Sequence, residues 1–563
     1  MKRLFAFAVL LFLAACSFLT PKDAGEAPPV REMLRQKLCV DLRFWQMEPG
    51  TIDPAQKETI SYPVRIMNEE IAEALNDLRP GAIILFAESC QEAYLLQGLN
   101  DEIHKLAKDN GWTLPLVAVD EEGGRVERLT FGPHFPSAAA LGGMDASYIE
   151  DMAWRLADLT LAFGFDLDFA PVCDIDSNPK NPVINTRSFG HDAETVTKGA
   201  TAFVRAFKKH GLLSCAKHFP GHGDTATDSH TGLPKVEKTL DDLRQLELKP
   251  FKAAIEEGVD CVMTSHIQFP NIETGVMTGL NGEKILRPAT LSQTILKNVL
   301  RDELGFDGVI VSDDMDMDAI SKSFDWKEAV IESWIAGCDI TMVTKRFQSL
   351  SSLKEWDDLL DKAEAAVASG RYPKSELIAS YNRISKLKER CFNTEKPETM
   401  PLAFYHNSEL IPRAIDMLSE ASITIEGDKS LLKDLVDRNG PWFQRNFWFA
   451  SKERMFQLFN GTKLCDDYRT VLIYNYSKPS PTEDEIKKTK ELIDEAKNQG
   501  QKVVILSCGS PVEEKLFPEA DLFIETKGSL AGVSALFGTN DFKSVEEEFY
   551  NYYRTKAGAF PKD

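Results

Sequence analysis

Residues 212–224 read LLSCAKHFPGHGD, an apolar run that passes directly into charged residues and glycines. Its first residues are typical of a strand buried on both faces of a parallel sheet, which reads as a nearly continuous apolar run. Lys217 and His218 stand where that strand ends, and Gly221 and Gly223 allow the backbone behind them to bend sharply. The stretch therefore predicts a buried parallel strand that delivers polar side chains at its carboxyl end.

The same unit recurs on both sides of this stretch, with amphipathic helical segments between the apolar runs. The spacing of the runs matches the length of a strand-helix-strand unit. Eight such units predict an α/β fold of the (β/α)8 barrel type, and a doubly wound open sheet is the alternative that the pattern leaves open. The runs cover residues 38–44, 81–86, 116–119, 167–172, 212–217, 260–264, 308–312 and 338–343.

Polar side chains cluster where these runs end. The carboxyl ends of barrel strands meet at one face of the barrel, so side chains at those ends are expected to share one pocket. Such charged or polar residues at buried strand ends are hard to explain by packing alone. They are Asp120, Asp174, Lys217 with His218, His266 and Asp313.

Composition and charge exclude several classes of protein. The chain has 563 residues, 43% of them apolar and 27% charged, as in globular proteins, and a net charge of −22. Such an acidic surface repels phosphate backbones, so we expect no nucleic-acid partner. Ten cysteines without a CxxC pattern predict neither a disulfide scaffold nor structural zinc, and nothing in the sequence indicates a protein partner.

The N-terminus has the pattern of a secretory signal. Lys2 and Arg3 precede an apolar run over residues 4–13, which is too short to span a bilayer. Residues 13–16, LAAC, resemble a bacterial lipobox, which implies a signal peptide over residues 1–16 and a lipid-modified Cys16. An ordinary signal peptide with a chance cysteine is the alternative. We expect a tether over residues 17–30 and a location in the cell envelope, lipid-anchored to a membrane outside the cytoplasm.

The rest of the chain divides into two predicted domains. The barrel is expected over residues 31–394, a linker over 395–402, and a smaller, sandwich-like α/β domain over 403–563. The second domain is predicted from apolar runs at 423–425, 471–474, 503–506 and 522–524 and from a helix over 482–498. It contains no phosphate-binding glycine motif and one histidine, His406, so we expect no second active site there.

Residues 217–230 contain three of the nine histidines, His218, His222 and His230. The residues by themselves allow three interpretations: structural histidines in a stiff loop, a metal site, or acid–base catalysis. Lys217 disfavours a metal ion because it would place a cation beside it. In the acid–base interpretation, Asp228 orients His230 and raises its basicity.

Two further clusters contain carboxylates. Asp313 and Asp314 follow the seventh run, where a catalytic carboxylate or a helix cap would both fit. Residues 119–128, VDEEGGRVER, place carboxylates at a strand end, followed by glycines and arginines. This arrangement suits hydrogen bonding to sugar hydroxyls, although a surface charge cluster would give the same pattern.

Together these segments resemble glycoside hydrolase family 3, and within it the bacterial β-N-acetylglucosaminidases. The resemblance runs from about residue 38 to 345. Its most specific element is KHFPGHGD at 217–224 followed by DSH at 228–230. Further blocks are FAPV at 169–172 with Asp174, NTRSF at 185–189, and LGFDGVI at 304–310 leading into SDD at 312–314.

The resemblance implies a retaining hydrolase of terminal β-linked N-acetylglucosamine, acting on an amino-sugar glycan or a muropeptide without a metal or organic cofactor. Asp313 would be the nucleophile, and His230, paired with Asp228, the acid/base. Sugar-binding roles would fall to Asp120, Arg128, Arg187, Lys217 and His218. The alternatives are a β-N-acetylglucosaminide phosphorylase, a metal-dependent hydrolase, or an inert glycan-binding lipoprotein.

Overall fold

The structure, a computed structural model, describes residues 27–47, 59–129, 131, 134–225 and 233–393, and several shorter segments beyond them. Those segments are 424–427, 460–463, 470–475, 483–498, 500, 502–507 and 516–525. The predicted signal peptide, Cys16, most of the tether and the linker lie outside the described residues. The predicted domain boundaries therefore stay predictions.

Eight parallel strands form the main sheet. Its spatial order is β11-β8-β7-β6-β5-β4-β1-β12, and an isolated parallel bridge between Val311 and Ile340 joins the two ends of that order. The sheet is thus a nearly closed barrel, which confirms the predicted (β/α)8 fold over the open-sheet alternative. In chain order the strands are β1 (Leu38–Asp41), β4 (Ala82–Ile84), β5 (Leu116–Val119), β6 (Leu167–Asp168), β7 (Leu213–Phe219), β8 (Cys261–Thr264), β11 (Val309–Val311) and β12 (Thr341–Val343).

Two antiparallel hairpins interrupt this series. They are β2 (Phe44–Met47) with β3 (Ile60–Pro63), and β9 (Val276–Thr278) with β10 (Lys284–Leu286). The run predicted over 38–44 therefore covers all of β1 and the first residue of a hairpin. The run predicted over 167–172 contains only two strand residues, and Pro171 has no amide hydrogen to extend the ladder.

Helices cover the outside of the barrel, as the βα pattern predicts. The helix α6 (Ala193–His210) shows how their ends are specified: Asp192 caps the first turn by accepting from the Thr195 amide, and Gly211 ends the helix with a φ of 82°. The others are α1 (Val30–Arg35), α2 (Glu69–Leu78), α3 (Ala93–Asp109), α4 (Ala138–Leu141), α5 (Ala146–Ala162), α7 (Leu240–Gln245), α8 (Leu248–Glu257), a π-helical segment (Thr294–Glu303), α9 (Asp318–Ser321), α10 (Trp326–Ala336), α11 (Leu353–Ala368) and α12 (Lys374–Asn393).

The barrel interior is a packed core rather than a channel. Alternate residues of the strands point inward and share one buried apolar cluster, which includes Ala82 and Ile84, Leu116 and Ala118, and Val309 and Val311. Ile384, Leu387 and Cys391 of α12 join the same cluster. Five cysteines in or beside the barrel strands are buried free thiols: Cys39, Cys173, Cys215, Cys261 and Cys338.

A buried ionic cluster ties α12 to the barrel. Asp339, just before β12, accepts from Arg301 Nη2 at 2.6 Å, from Arg383 Nη2 at 2.8 Å and from the Ile310 amide at 2.9 Å. Burial by itself would raise the pKa of Asp339, but the two guanidinium groups outweigh it and lower that pKa. Asp339 therefore stays ionised and holds α12 and the π-helical segment to the strands.

The segments beyond residue 393 form a second α/β unit. Its five-stranded sheet has the order β13-β17-β16-β15-β14, in which β15, β16 and β17 are parallel. The strands are β13 (Thr424–Gly427), β14 (Asn460–Lys463), β15 (Thr470–Asn475), β16 (Lys502–Ser507) and β17 (Leu522–Glu525), and α13 (Glu483–Asn498) connects β15 to β16. The four predicted runs and the helix of this region are thus found. None of the helices described here is long and apolar enough to cross a bilayer.

Replacing Asp339 by Asn should lower the free energy of unfolding by about 3–5 kcal/mol, because it leaves the partly buried guanidinium groups of Arg301 and Arg383 without the fully buried carboxylate between them. Urea unfolding measures this. The control is Asp357→Asn, whose carboxylate also pairs with an arginine, Arg31, but is 54% exposed. That substitution should cost less than about 1 kcal/mol. Equal losses in the two variants would contradict the structural role of Asp339.

Candidate active site

A cavity of about 510 Å³ opens where the barrel strands end. Its volume lies in the range of small-molecule sites, and most of its polar lining comes from loops that follow different strands. Apolar contacts come from Phe86, Val126, Met263, Met317 and Met342. Its charged and imidazole groups are Arg43, Glu88, Asp120, Glu122, Arg128, Arg187, Lys217, His218, His222, Asp313, Asp314, Asp318 and Lys345.

Six of the residues given a role from sequence line this cavity together: Asp120, Arg128, Arg187, Lys217, His218 and Asp313. They come from four separate stretches of the chain, at residues 120–128, 187, 217–218 and 313, which meet at one face of the barrel. The other two, Asp228 and His230, belong to residues 226–232, which lie outside the described residues. The placement is as predicted for the six, and the roles stay predictions.

Lys217 is more buried than the arginines of the cavity. Its side chain is 2% exposed and its Nζ lies 2.7 Å from Asp120 Oδ1 and 2.6 Å from Glu122 Oε1. Burial alone would lower the pKa of Lys217, but these two carboxylates outweigh it and raise that pKa above its ordinary value. Arg128 Nη2 lies 3.6 Å from the other oxygen of Asp120. The cation at the end of β7 is thus fixed by carboxylates that follow β5.

Glu122 was given no role from sequence, yet it is central to the site. It accepts two hydrogen bonds from Arg187, at 2.8 Å from Nε and 2.7 Å from Nη2, beside its contact with Lys217. Burial would raise the pKa of Glu122, but Arg187 and Lys217 hold it well below its usual range. Alternation along an extended chain was the available signal, since Asp120 and Glu122 are two residues apart and face the same side.

The intervening Glu121 faces the opposite way and stabilises its own loop. Its Oε2 accepts from the amides of Arg128 at 2.7 Å and Leu129 at 3.1 Å. Burial raises the pKa of Glu121 to about 8. Of the two adjacent glutamates in residues 119–128, one therefore serves the cavity and the other the fold of the loop.

His218 is held by a buried carboxylate. Its Nδ1 lies 2.6 Å from Asp174 Oδ2, and its Nε2 lies 3.3 Å from Arg187 Nη2. An arginine can only donate, so Nε2 accepts and the proton on Nδ1 is donated to Asp174. Asp174 also accepts from the amides of His218 and His222, at 3.2 and 2.7 Å. It lies behind the cavity wall and fixes the loop after β7.

The other loop histidine lining the cavity, His222, is chemically different. Burial and the neighbouring His218 lower the pKa of His222 to about 4, so it is neutral at pH 7. Its Nδ1 lies 3.1 Å from the Thr225 hydroxyl. Within the part of the chain that the structure describes, no group of three or more His, Cys, Asp and Glu side chains is arranged to hold a metal ion. His218, near the end of β7, and His222, in the loop that follows, thus have different partners.

Asp313 and Asp314 follow β11 and both line the cavity. Asp313 Oδ1 accepts from the Asp314 amide at 2.8 Å, whereas Asp314 accepts from the Thr344 hydroxyl at 2.6 Å and from the Asp316 amide at 3.0 Å. Burial raises the pKa of Asp314 to about 6. The next helix, α9, begins after Met317, which makes no side-chain cap. Neither aspartate therefore caps that helix, which removes the alternative interpretation of Asp313.

His266 does not line the cavity. Its Nε2 lies 3.0 Å from the backbone carbonyl of Asp314, and its Nδ1 lies 2.9 Å from the Thr290 hydroxyl. It therefore supports the loop that carries Asp313. The expectation of a single pocket holds for the strand-end residues Asp120, Lys217, His218 and Asp313 but not for Asp174 and His266, which are buried behind it.

Comparison with known proteins gives one consistent family. The model of the glycosyl hydrolase family 3 N-terminal domain matches residues 40–387. Beta-hexosaminidase A of Pseudoalteromonas piscicida is 34% identical over 388 residues, which are 66% of this chain and 64% of that protein. The chain thus matches slightly less than two thirds of that relative's length. The beta-hexosaminidase of Neisseria gonorrhoeae strain NCCP11945 is 35% identical over 309 residues, 53% of this chain and 81% of its own.

Solved structures agree. A family 3 β-N-acetylglucosaminidase from Paenibacillus sp. FPU-7 superposes with a TM-score of 0.68 at 26% identity and covers 91% of this chain and 96% of its own. NagZ from Neisseria gonorrhoeae, in complex with N-trifluoroacetyl-D-glucosamine, has a TM-score of 0.50 at 28% identity and covers 69% of this chain and 98% of its own. The first similarity extends well beyond the barrel, and the second covers little more than the barrel.

Proposed function

Because this chain belongs to glycosyl hydrolase family 3, we propose that it is a β-N-acetylhexosaminidase that removes terminal β-linked N-acetylglucosamine from amino-sugar glycans. The observation that carries the proposal is the cavity in which Asp313 lies with Asp120, Arg128, Arg187, Lys217 and His218. Beta-hexosaminidase A and the other named relatives support the enzyme class. The chain is accordingly a hydrolase of O-glycosidic bonds.

The charged groups of the cavity suit a sugar ring. Asp120 offers carboxylate acceptors, while Lys217, Arg128 and Arg187 offer donors, and each sugar hydroxyl can both donate and accept. Hydrogen bonds to charged groups are roughly twice as strong as neutral ones, and these groups are already held in place by one another. Little side-chain entropy then remains to be lost when a sugar binds.

The chemistry we propose has two steps. An oxygen of Asp313 attacks the anomeric carbon while the glycosidic bond breaks, and protonated His230 gives its proton to the leaving oxygen. Water then attacks the same carbon, His230 accepts a proton from that water, and the bond to Asp313 breaks to release the carboxylate. Asp228 stabilises the imidazolium form of His230. Two displacements retain the β configuration.

The natural substrate is proposed to be a peptidoglycan fragment such as a muropeptide. The support comes from the lipobox-like residues 13–16, which would place the enzyme in the cell envelope beside peptidoglycan. Chitin oligosaccharides contain the same terminal sugar and are the alternative. Phosphorolysis is a second reaction to test, since a histidine acid/base would not repel phosphate as a carboxylate does.

A panel of aryl β-glycosides tests the proposed activity. The wild type should prefer the N-acetylglucosaminide over the glucoside and xyloside and release the free sugar at the same rate with or without phosphate. Asp313→Asn should lose activity by many orders of magnitude while its circular dichroism stays unchanged, because no other group replaces the nucleophile. Preference for glucoside or xyloside, a phosphorylated product, or an active Asp313→Asn variant would each contradict a separate part of the proposal.

His230→Ala should lose most activity on natural disaccharides, whose poor leaving groups need a proton. Aryl substrates with good leaving groups need less help, so for them the second step becomes limiting and added azide should restore part of the rate. Asp228→Ala should act in the same direction but more mildly, since it removes only the partner of the imidazole. Rates that fall equally for all leaving groups, without rescue by azide, would indicate a structural His230.

The lipid anchor is tested at Cys16. In a bacterial host that makes lipoproteins, the full chain should incorporate labelled fatty acid and sediment with membranes, and Cys16→Ser should do neither. Several acyl chains on one residue give firm membrane attachment, since each buried methylene contributes about 0.8 kcal/mol. Equal labelling of the two chains would show that residues 13–16 are not a lipobox.

A further inference from the structure

Glu122 is the carboxylate that joins two cations of the cavity, Lys217 and Arg187. Its Oε1 lies 2.6 Å from Lys217 Nζ and 2.7 Å from Arg187 Nη2, and its Oε2 accepts from Arg187 Nε at 2.8 Å. We propose that Glu122 is a positioning residue that holds Lys217 and Arg187 side by side as one cationic clamp for the sugar. The inference rests on the function proposed above and adds a residue to its machinery.

The two cations cannot take these positions without an anion between them. The side chains of Lys217 and Arg187 are 2% and 13% exposed, so neither is screened well by water. Removing one partner of a buried, hydrogen-bonded charge pair costs about 2–5 kcal/mol, mostly because the remaining charge is left buried and unpaired. Removing Glu122 would leave two such charges of the same sign, those of Lys217 and Arg187, beside each other.

The neighbouring groups do not replace Glu122. Asp120 lies 2.7 Å from Lys217, whereas Arg187 lies 3.3 Å from Nε2 of His218, an acceptor without a negative charge. Glu122 is therefore the group that makes the position of one cation depend on the other. A substrate hydroxyl that contacts one of them is placed relative to both.

Loss of the Glu122 carboxylate would also change the pH at which Lys217 loses its proton. Asp120 and Glu122 raise the pKa of Lys217 against burial and Arg187, which both lower it. With Glu122 neutral, Lys217 should lose its proton at a lower pH than in the wild type. The charged or titratable groups facing the two cations from the surrounding strand ends are Asp120, Glu122, Asp168, Asp174, Cys215 and His218.

The test compares Glu122→Gln with Glu332→Gln in the full chain, using an aryl N-acetylglucosaminide whose leaving group needs no proton. In every chain compared, including the one with native Glu122, His230 is replaced by Ala for the pH profiles, because the general acid would otherwise set the basic limb. Glu332 is a matched control: it also bridges two cations, Arg287 at 2.6 Å and Arg371 at 2.7 Å, but lies on α10 and does not line the cavity. Glu122→Gln should lower kcat/KM at least about 30-fold and move the basic limb of its pH profile to lower pH. Glu332→Gln should lower stability but leave kcat/KM within about twofold and the limb in place, because it is remote from the cavity.

A third variant separates charge from shape. Glu122→Asp keeps the charge on a shorter side chain, so its basic limb should stay near that of the wild type even where kcat/KM falls. If Glu122→Gln does not fold, the inference is tested by the position of the basic limb in Glu122→Asp. The inference is overturned if Glu122→Gln keeps wild-type kcat/KM and limb, if Glu332→Gln moves the limb as far, or if the limb moves in Glu122→Asp.

A failure of the proposed function gives a different result. A wild type that is inactive on every aryl glycoside rejects the activity, and the titration of Lys217 is then read from unfolding free energies. A group whose pKa is raised by folding adds stability at low pH that is lost as the pH rises through its folded pKa. Glu122→Gln should lose this stability at a lower pH than the wild type, whereas identical pH dependence in both would overturn the inference by itself.

Discussion

The site depends on the closure of eight parallel strands. The order from β11 to β12, joined at its ends by the Val311–Ile340 bridge, puts every strand's carboxyl end on one face. Residues as distant in sequence as Asp120 and Lys217 meet there at 2.7 Å. The amino ends gather on the opposite face, where Asp339 ties α12 to the barrel. The cavity and the ionic cluster that supports α12 therefore lie at opposite ends of the barrel.

Buried charge is concentrated at both ends, and at each end cations are paired with buried carboxylates. Lys217 and Arg187 are matched by Asp120 and Glu122 on one face, and Arg301 and Arg383 by Asp339 on the other. Desolvating such groups costs several kcal/mol per ion, which only close opposite charges and hydrogen bonds offset. At the cavity these contacts leave room for a ligand, so the energy that fixes the ions also prepares them to bind.

Residues close together in the sequence have different surroundings, so a sequence motif does not by itself assign a role to each of its residues. His218 is oriented by Asp174 and faces Arg187, while His222 four residues later is neutral and contacts Thr225. Glu121 and Glu122 diverge in the same way. His266 and Asp174, which stand at strand ends like the cavity residues, support loops from behind. The side to which each side chain points decides its role, as the opposite directions of Glu121 and Glu122 show.

The sequence by itself determined eight strand-helix units and their order, the α/β character of the second unit and the strand-end residues Asp120, Lys217, His218 and Asp313 that line the cavity. It could do so because apolar periodicity and polar residues at strand ends are local patterns, which can be read from the sequence alone. Only the tertiary structure decided that the sheet closes, that Asp174 and His266 lie behind the wall, and that Glu122 bridges Lys217 and Arg187. Those facts depend on distances between residues 65 and 95 positions apart in the chain. Pairing of side chains across such separations is set by the closed barrel, and no local pattern encodes it.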